Sequence, residues 1–153
     1  MSDIESRAAS LGLTVPPAPS PKGGYLPFVR VGDLVFTSGV GPVRSGTRIY
    51  SGYVGDDVSL EQAREAARVA VLNALGIVRE ALGTLDRVRQ IVRLTGYVRS
   101  APGFVEQAAV VDAASKVIVS LFGDRGRHAR SAVGVAELPF GISVELELVV
   151  EVH

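Results

Sequence analysis

Across residues 59–82 the apolar positions return at steps of three and four: Ala63, Ala67, Ala70, Ala74, Ile77, Val78 and Ala81. That period predicts an amphipathic helix. Ser59 with Gln62 three positions on has the capping-box spacing, and Gly83 supplies the stop. So many alanines on one stripe would let the helix sit close against a sheet. From residue 88 to 99 the period changes to two. Val88, Gln90, Val92, Leu94, Gly96 and Val98 alternate with Arg89, Ile91, Arg93, Thr95 and Tyr97, which predicts a strand with one face under a helix. Residues 143–152 alternate too, with Val144, Leu146, Leu148, Val150 and Val152 opposite Glu145, Glu147 and Glu151. Further strands are expected at 25–31 and 34–38, turning at Gly32-Asp33, and at 131–138. A second long helix is expected over 104–122, and a short amphipathic one within 1–13 through Ile4, Ala8 and Leu11. The order ββ-α-β-α-ββ predicts an α+β fold, with two helices packed on one face of a mixed β-sheet.

Residues 15–24, Val-Pro-Pro-Ala-Pro-Ser-Pro-Lys-Gly-Gly, break every periodicity. Four prolines fix φ and remove backbone donors, so the segment is expected to be an extended arm over the body. The division is then 1–22 for the N-terminal helix and arm, and 23–153 for a single α+β domain. A length of 153 residues suits one core without staples. No cysteine is present, which removes disulfides and thiol chemistry, and two histidines cannot build a histidine metal cluster. Sixteen basic and sixteen acidic residues cancel, so charge gives no reason to expect a nucleic-acid binder. The acidic start lacks a secretory pattern, no apolar run is long enough to span a membrane, and a cytoplasmic protein is expected. A mean hydropathy of +0.30 leaves apolar surface to be covered, which points to subunit contacts.

Phosphate loops and nucleophile elbows are missing. Ser38 ends a strand, yet no histidine is spaced as its base, and His128 would reach it only by an accident of the fold. Arg125, Arg127, His128 and Arg130 crowd one loop. Arg125 and Arg127 read as solvated ion-pair partners. Arg130 opens a strand with Ala132, Gly134 and Ala136 on its own face. A planar guanidinium beside small residues suits bidentate capture of a carboxylate, although from the residues alone a surface ion pair is the stronger reading. Glu145 reads either as the wet face of a sheet or, partly desolvated, as a group that orients water. Tyr25 follows Gly23-Gly24 and would offer a phenol at a pocket rim or simply pack.

From residue 129 the chain runs Ala-Arg-Ser-Ala-Val-Gly-Val-Ala-Glu-Leu-Pro-Phe-Gly-Ile-Ser-Val-Glu-Leu-Glu-Leu-Val-Val. This stretch resembles the C-terminal signature of the reactive-intermediate deaminase (Rid, or YjgF-type) family. Gly24-Tyr25, Thr37-Ser38-Gly39 and the segment 98–104 agree with the same family, and the resemblance covers about residues 23–152. It implies a chorismate-mutase-like fold and a homotrimer with clefts between subunits. The activity it implies is hydrolysis of 2-imino and 2-enamino acids to 2-oxo acids and ammonia, with no metal or organic cofactor. By the same resemblance Arg130 holds the substrate carboxylate and Glu145 is associated with the attacking water. Tyr25 lines the cleft from another subunit, Ser38 and Gly39 form its wall, and Ala132 contributes its backbone. Three positions depart from the family pattern: Ala132 replaces a common cysteine, Val40 a glutamine, and Asp112 an asparagine. A non-catalytic trimer that binds a small carboxylate is the alternative, and an endoribonuclease the weaker one, since basic and aromatic stripes for RNA are missing.

Overall fold

The computed structural model describes residues 2–153. Helix α1 (Asp3–Ser10) starts at Ser2, whose hydroxyl accepts from the Glu5 N–H, and the Asp86 carboxylate accepts from the N–H groups of Asp3 and Ile4. Ile4 and Ala8 are buried as expected, whereas Leu11 lies beyond the last turn and is exposed. Strands β1 (Phe28–Val31) and β2 (Leu34–Thr37) form the expected hairpin, with Gly32 at φ 58°. A second, two-residue hairpin follows, β3 (Val43–Arg44) with β4 (Thr47–Arg48), where only a loop was expected.

Helix α2 (Leu60–Leu82) carries the complete capping box at Ser59 and Gln62, and Gly83 closes it at φ 81°. Strand β5 (Val88–Arg99) leads to α3 (Gln107–Phe122), then β6 (Ala129–Val135) and β7 (Val144–Val152). Helix α3 starts three residues later than expected. Phe104 N–H closes a turn onto the Ala101 carbonyl, Gly103 takes φ 83°, and the Gln107 side chain holds that turn through the Phe104 carbonyl and Ser100 Oγ. Strand β6 ends early because Glu137 is drawn off to the Tyr53 hydroxyl (2.5 Å) and Arg99 (2.7 Å).

The five-stranded sheet runs β1-β2-β7-β5-β6, and only β5 and β6 are parallel. Parallel neighbours need a crossover, and α3 supplies it. On the covered face Val144, Leu146, Leu148, Val150 and Val152 meet α2, while Gly96 lies under α3. A Cβ at Gly96 would stand 2.4 Å from Val111 Cγ2, so only glycine lets that helix descend. The alternation expected for β5 is corrected at its first half. Irregularities between Val88 and Gln90 and between Ile91 and Arg93 reverse the phase, so Ile91 is fully buried and Val92 is exposed. A bulge adds one residue, and one residue exchanges the two faces of a strand. Beyond it Thr95 and Tyr97 do lie on the face the helices leave open, with Glu145, Glu147 and Val149 of β7.

The proline arm lies against α2. Val15 joins the core, Arg79 donates to the Pro16 carbonyl at 3.0 Å, and Arg79 also pairs with Glu5 at 2.8 Å. Gly76 makes the approach possible, since a Cβ there would stand 2.4 Å from the Pro16 carbonyl oxygen. Gly76→Ala therefore opposes two effects. The helix gains about 1 kcal/mol in intrinsic propensity. Lifting the arm removes Val15 from the core, which costs about 1.5–3 kcal/mol, and a hydrogen bond worth about 1 kcal/mol. The expected outcome is a net loss of about 1.5–3 kcal/mol in a denaturant titration, with faster proteolytic cleavage within residues 15–24.

Candidate functional site

Four residues singled out in the sequence line one cavity of about 160 Å³: Tyr25, Ser38, Gly39 and Glu145. The cavity lies just before β1 begins, where the segment after β2 runs on alone, joined to β7 through the Val40–Leu146 bridge. Ser38 donates its hydroxyl to the Leu26 carbonyl at 2.5 Å and its N–H to the Pro27 carbonyl at 2.8 Å, which folds the chain around that corner. Gly39 is required for a steric reason. A Cβ there would stand 2.9 Å from the carboxyl carbon of Glu145, so the bare backbone leaves the carboxyl group its place. Tyr25 turns back under Gly23, and its hydroxyl oxygen accepts from the Lys22 N–H at 3.3 Å.

Val40, named in the sequence as a departure from the family pattern, also lines the cavity, and the rest of the wall was not anticipated. Asn73, buried in the middle of α2, donates to the carbonyls of Gly41 and Val43 at 3.0 Å each and fixes the loop beside the cavity. A lone amide in an alanine stripe was the available signal for it. Pro19, Ser20, Pro21 and Lys22 bring the arm into the lining, and Arg48 and Phe140 come from β4 and the turn before β7. Phe140 holds φ 62°, and Arg48 stacks on its ring with 4.1 Å between guanidinium carbon and centroid.

Arg130 and Ala132 are not part of this cavity. They lie on the edge strand β6, opposite Leu94 and Gly96 of β5, and face α3. Arg130 Nη1 donates to Asp112 Oδ1 and to Ser115 Oγ, each at 3.1 Å, and Lys116 balances Asp112 from 3.5 Å. His128 completes the cluster, its Nδ1 2.6 Å from the Gly126 carbonyl oxygen and its Nε2 2.9 Å from Ser115 Oγ. A carbonyl only accepts, so Nδ1 donates to Gly126, and Nε2 stands within hydrogen-bond distance of the Ser115 hydroxyl. The histidine that no sequence spacing joined to Ser38 thus serves Ser115, whose signal was a serine one turn after Asp112 on α3. Nη1 is fully engaged by this cluster. Arg130 and Glu145 are not brought together within one chain: they stand two strands apart, roughly 10 Å across the sheet, on opposite faces.

Burial pushes the Glu145 carboxyl above the ordinary carboxylate range, and the neighbouring Glu147 pushes the same way. Glu147 accepts the Tyr97 hydroxyl at 2.7 Å, and that bond, with burial, raises the Tyr97 phenol. The half-buried Glu145 is therefore a carboxyl group suited to accepting and returning a proton. Among the described residues no group of three or more His, Cys, Asp or Glu side chains is gathered to hold a metal ion, and no helix is long and apolar enough to cross a membrane.

The mixed sheet under α2 and α3, with α1 at the side, is an α+β fold of the chorismate-mutase-like kind. The family model described as "YjgF/chorismate mutase-like, putative endoribonuclease" matches residues 5–151, and the chain belongs to this YjgF/Rid family. Protein TCP17 of Trypanosoma cruzi is 40% identical over 151 residues, covering 98% of this chain and 94% of its own. The 2-iminobutanoate/2-iminopropanoate deaminase of Salmonella typhimurium is 34% identical over 132 residues, 86% of this chain and 90% of its own. The crystal structure of Atu1372 from Agrobacterium tumefaciens, a protein described as of unknown function, superposes with a TM-score of 0.93 at 43% identity, covering 99% and 93% of the two chains.

The raised Glu145 carboxyl has a stability consequence of definite sign. The folded chain holds this proton more tightly than the unfolded chain, so stability falls as pH rises through the ordinary carboxylate range and up to the folded value. Glu145→Gln removes the ionisation. Its melting temperature is expected to exceed the parent's at pH 7–8, and the gap should close below about pH 4, where both states carry the proton. Thermal melts of the two proteins across that range check it.

Proposed function

We propose that the protein is a cytoplasmic homotrimer that hydrolyses 2-imino and 2-enamino acids to 2-oxo acids and ammonia, in clefts built from two neighbouring copies. One observation carries this reading: Tyr25, Ser38, Gly39 and Glu145 line one cavity, while Arg130 and Ala132 face away from it on the free edge of the same sheet. A second copy whose β6 edge faces that cavity would complete the set. The sheet face left open by the helices is apolar enough for such contact, with Val29, Val31, Phe36 and Val133 all exposed. The name of the Salmonella relative supports the reaction class.

In this reading the planar Arg130 fork, held at Nη1 by Asp112 and Ser115, turns its remaining N–H groups to the substrate carboxylate. The imine carbon is then fixed near Glu145. Water adds to that carbon and breaks the C=N π bond while its proton passes to the Glu145 carboxylate. The carboxyl returns the proton to nitrogen, giving a carbinolamine. The carboxylate then takes the hydroxyl proton and passes it to nitrogen, so the C–N bond breaks, ammonia leaves and the C=O bond of the 2-oxo acid forms. A cavity of about 160 Å³ suits such a small acid better than an RNA strand, and so does a chain with no net charge.

The test is complementation between two inactive variants. Arg130→Ala and Glu145→Gln are each expected to lose most of the hydrolysis of 2-iminopropanoate generated by an amino-acid oxidase. When the two are unfolded together and refolded as mixed trimers, about a quarter of the clefts should pair an intact Arg130 with an intact Glu145, by random assortment around a closed ring. Recovery of that share of activity is the expected result. Mixtures as inactive as either variant would overturn the two-subunit site, and a monomer by light scattering would overturn the assembly.

A further inference from the structure

The cavity holds two cationic side chains that the deaminase reading leaves without a task. Lys22 and Arg48 both line it, and Glu145 is the only acid that does. Among the described residues Lys22 and Arg48 have no side-chain carboxylate partner within 4 Å; Arg7, Arg30, Arg87, Arg89, Arg93 and Arg125 share that lack, but none of those six lines the cavity. Arg48 is not simply loose, because its guanidinium carbon sits over the Phe140 ring, 4.1 Å from the centroid. Lys22 is not loose at its backbone either. The prolines 16, 17, 19 and 21 stiffen the approach, Gly76 and Arg79 seat the arm at Pro16, and Tyr25 accepts the Lys22 N–H. Two cations on separate elements thus border a space whose one carboxyl is held towards its neutral form by burial.

We infer that Lys22 and Arg48 form a second anion subsite, so that the acid processed here carries a carboxylate on its side chain as well as the one beside the imine carbon. This rests on the deaminase reading, in which Arg130 of a neighbouring copy takes the first carboxylate. A neutral side chain would leave both cations without a counter-charge. A second carboxylate answers them, through the Arg48 fork and the Lys22 ammonium as a point charge. The substrate class is therefore the imines of acidic amino acids, and the products are 2-oxo dicarboxylates. The arm, which sequence alone gave only as a cover over the body, is the element that carries one half of the subsite.

Two measurements on the full-length protein test this. In the first, 2-iminoglutarate from glutamate oxidase and 2-iminopropanoate from alanine are compared by the rate of imine decay. The parent is expected to favour 2-iminoglutarate in kcat/KM by about tenfold or more, a preference that added salt weakens. Lys22→Met and Arg48→Met should each lower that ratio by about tenfold, with circular dichroism and melting temperature unchanged, as both side chains are exposed. In the second, calorimetry compares 2-oxoglutarate with 2-oxobutyrate, and the parent should bind the dicarboxylate more tightly while the variants do not. Hydrolysis of both imines without preference, or a preference that survives both substitutions, overturns the subsite and leaves the deaminase reading intact. If neither imine is hydrolysed, yet the dicarboxylate binds more tightly and loses that advantage in the variants, the subsite stands and the deaminase reading falls.

Discussion

Val98 stands opposite Val144, Gly96 opposite Leu146 and Leu94 opposite Leu148, and this register between β5 and β7 decides where everything else in the protein goes. It sends five aliphatic residues of β7 into the core and Glu145, Glu147 and Glu151 to the other face. It puts the one residue without a side chain, Gly96, under α3, where Val111 fills the space. The same pairing fixes β6 outside β5, so that Arg130 comes to the sheet edge on the helix side. A slip of one residue would bury the acids and expose the leucines together. The separation of Arg130 from Glu145 is thus a product of the ladder itself.

Most of the architecture was legible because its period is strong. The alanine stripe of α2, its capping box and Gly83, and the alternation of β7 each state one local rule and obey it. The first half of β5 was not legible, because two equally apolar neighbours, Ile91 and Val92, give no local sign of which one a bulge turns inward. The β3–β4 hairpin was missed for a related reason: strands of two residues have no measurable period. For the site, residue type pointed to Tyr25 and Glu145 and the family resemblance added Ser38 and Gly39, and these four do share a cavity. Asn73, Ser115 and Phe140 escaped notice because each acts through a contact distant in sequence.

Two kinds of polar burial divide the labour. Around Arg130 one edge of the guanidinium is fixed, with Nη1 held by Asp112 and Ser115, which Lys116 and the His128 ring hold in turn, and a connected cluster of this kind is rigid. Around Glu145 the surroundings are mismatched, with a like charge nearby and little water, which keeps a proton available. In the proposed reaction the rigid cluster would orient a ligand and the mismatched carboxyl would move a proton.

The manner in which the arm is attached bears on how this protein can diverge. It is seated by a carbonyl against a glycine and by one arginine, outside the hydrogen-bonded ladder of the sheet. A polyproline segment advances about 3.1 Å per residue with little slack, so its length works as a ruler. Inserting or deleting one residue between Pro16 and Lys22 would shift the cation along the wall by about that step. None of the strand register would change. With the proposed subsite on this arm, ligand range could drift through the length of a surface segment while the sheet and its stability stay under separate selection.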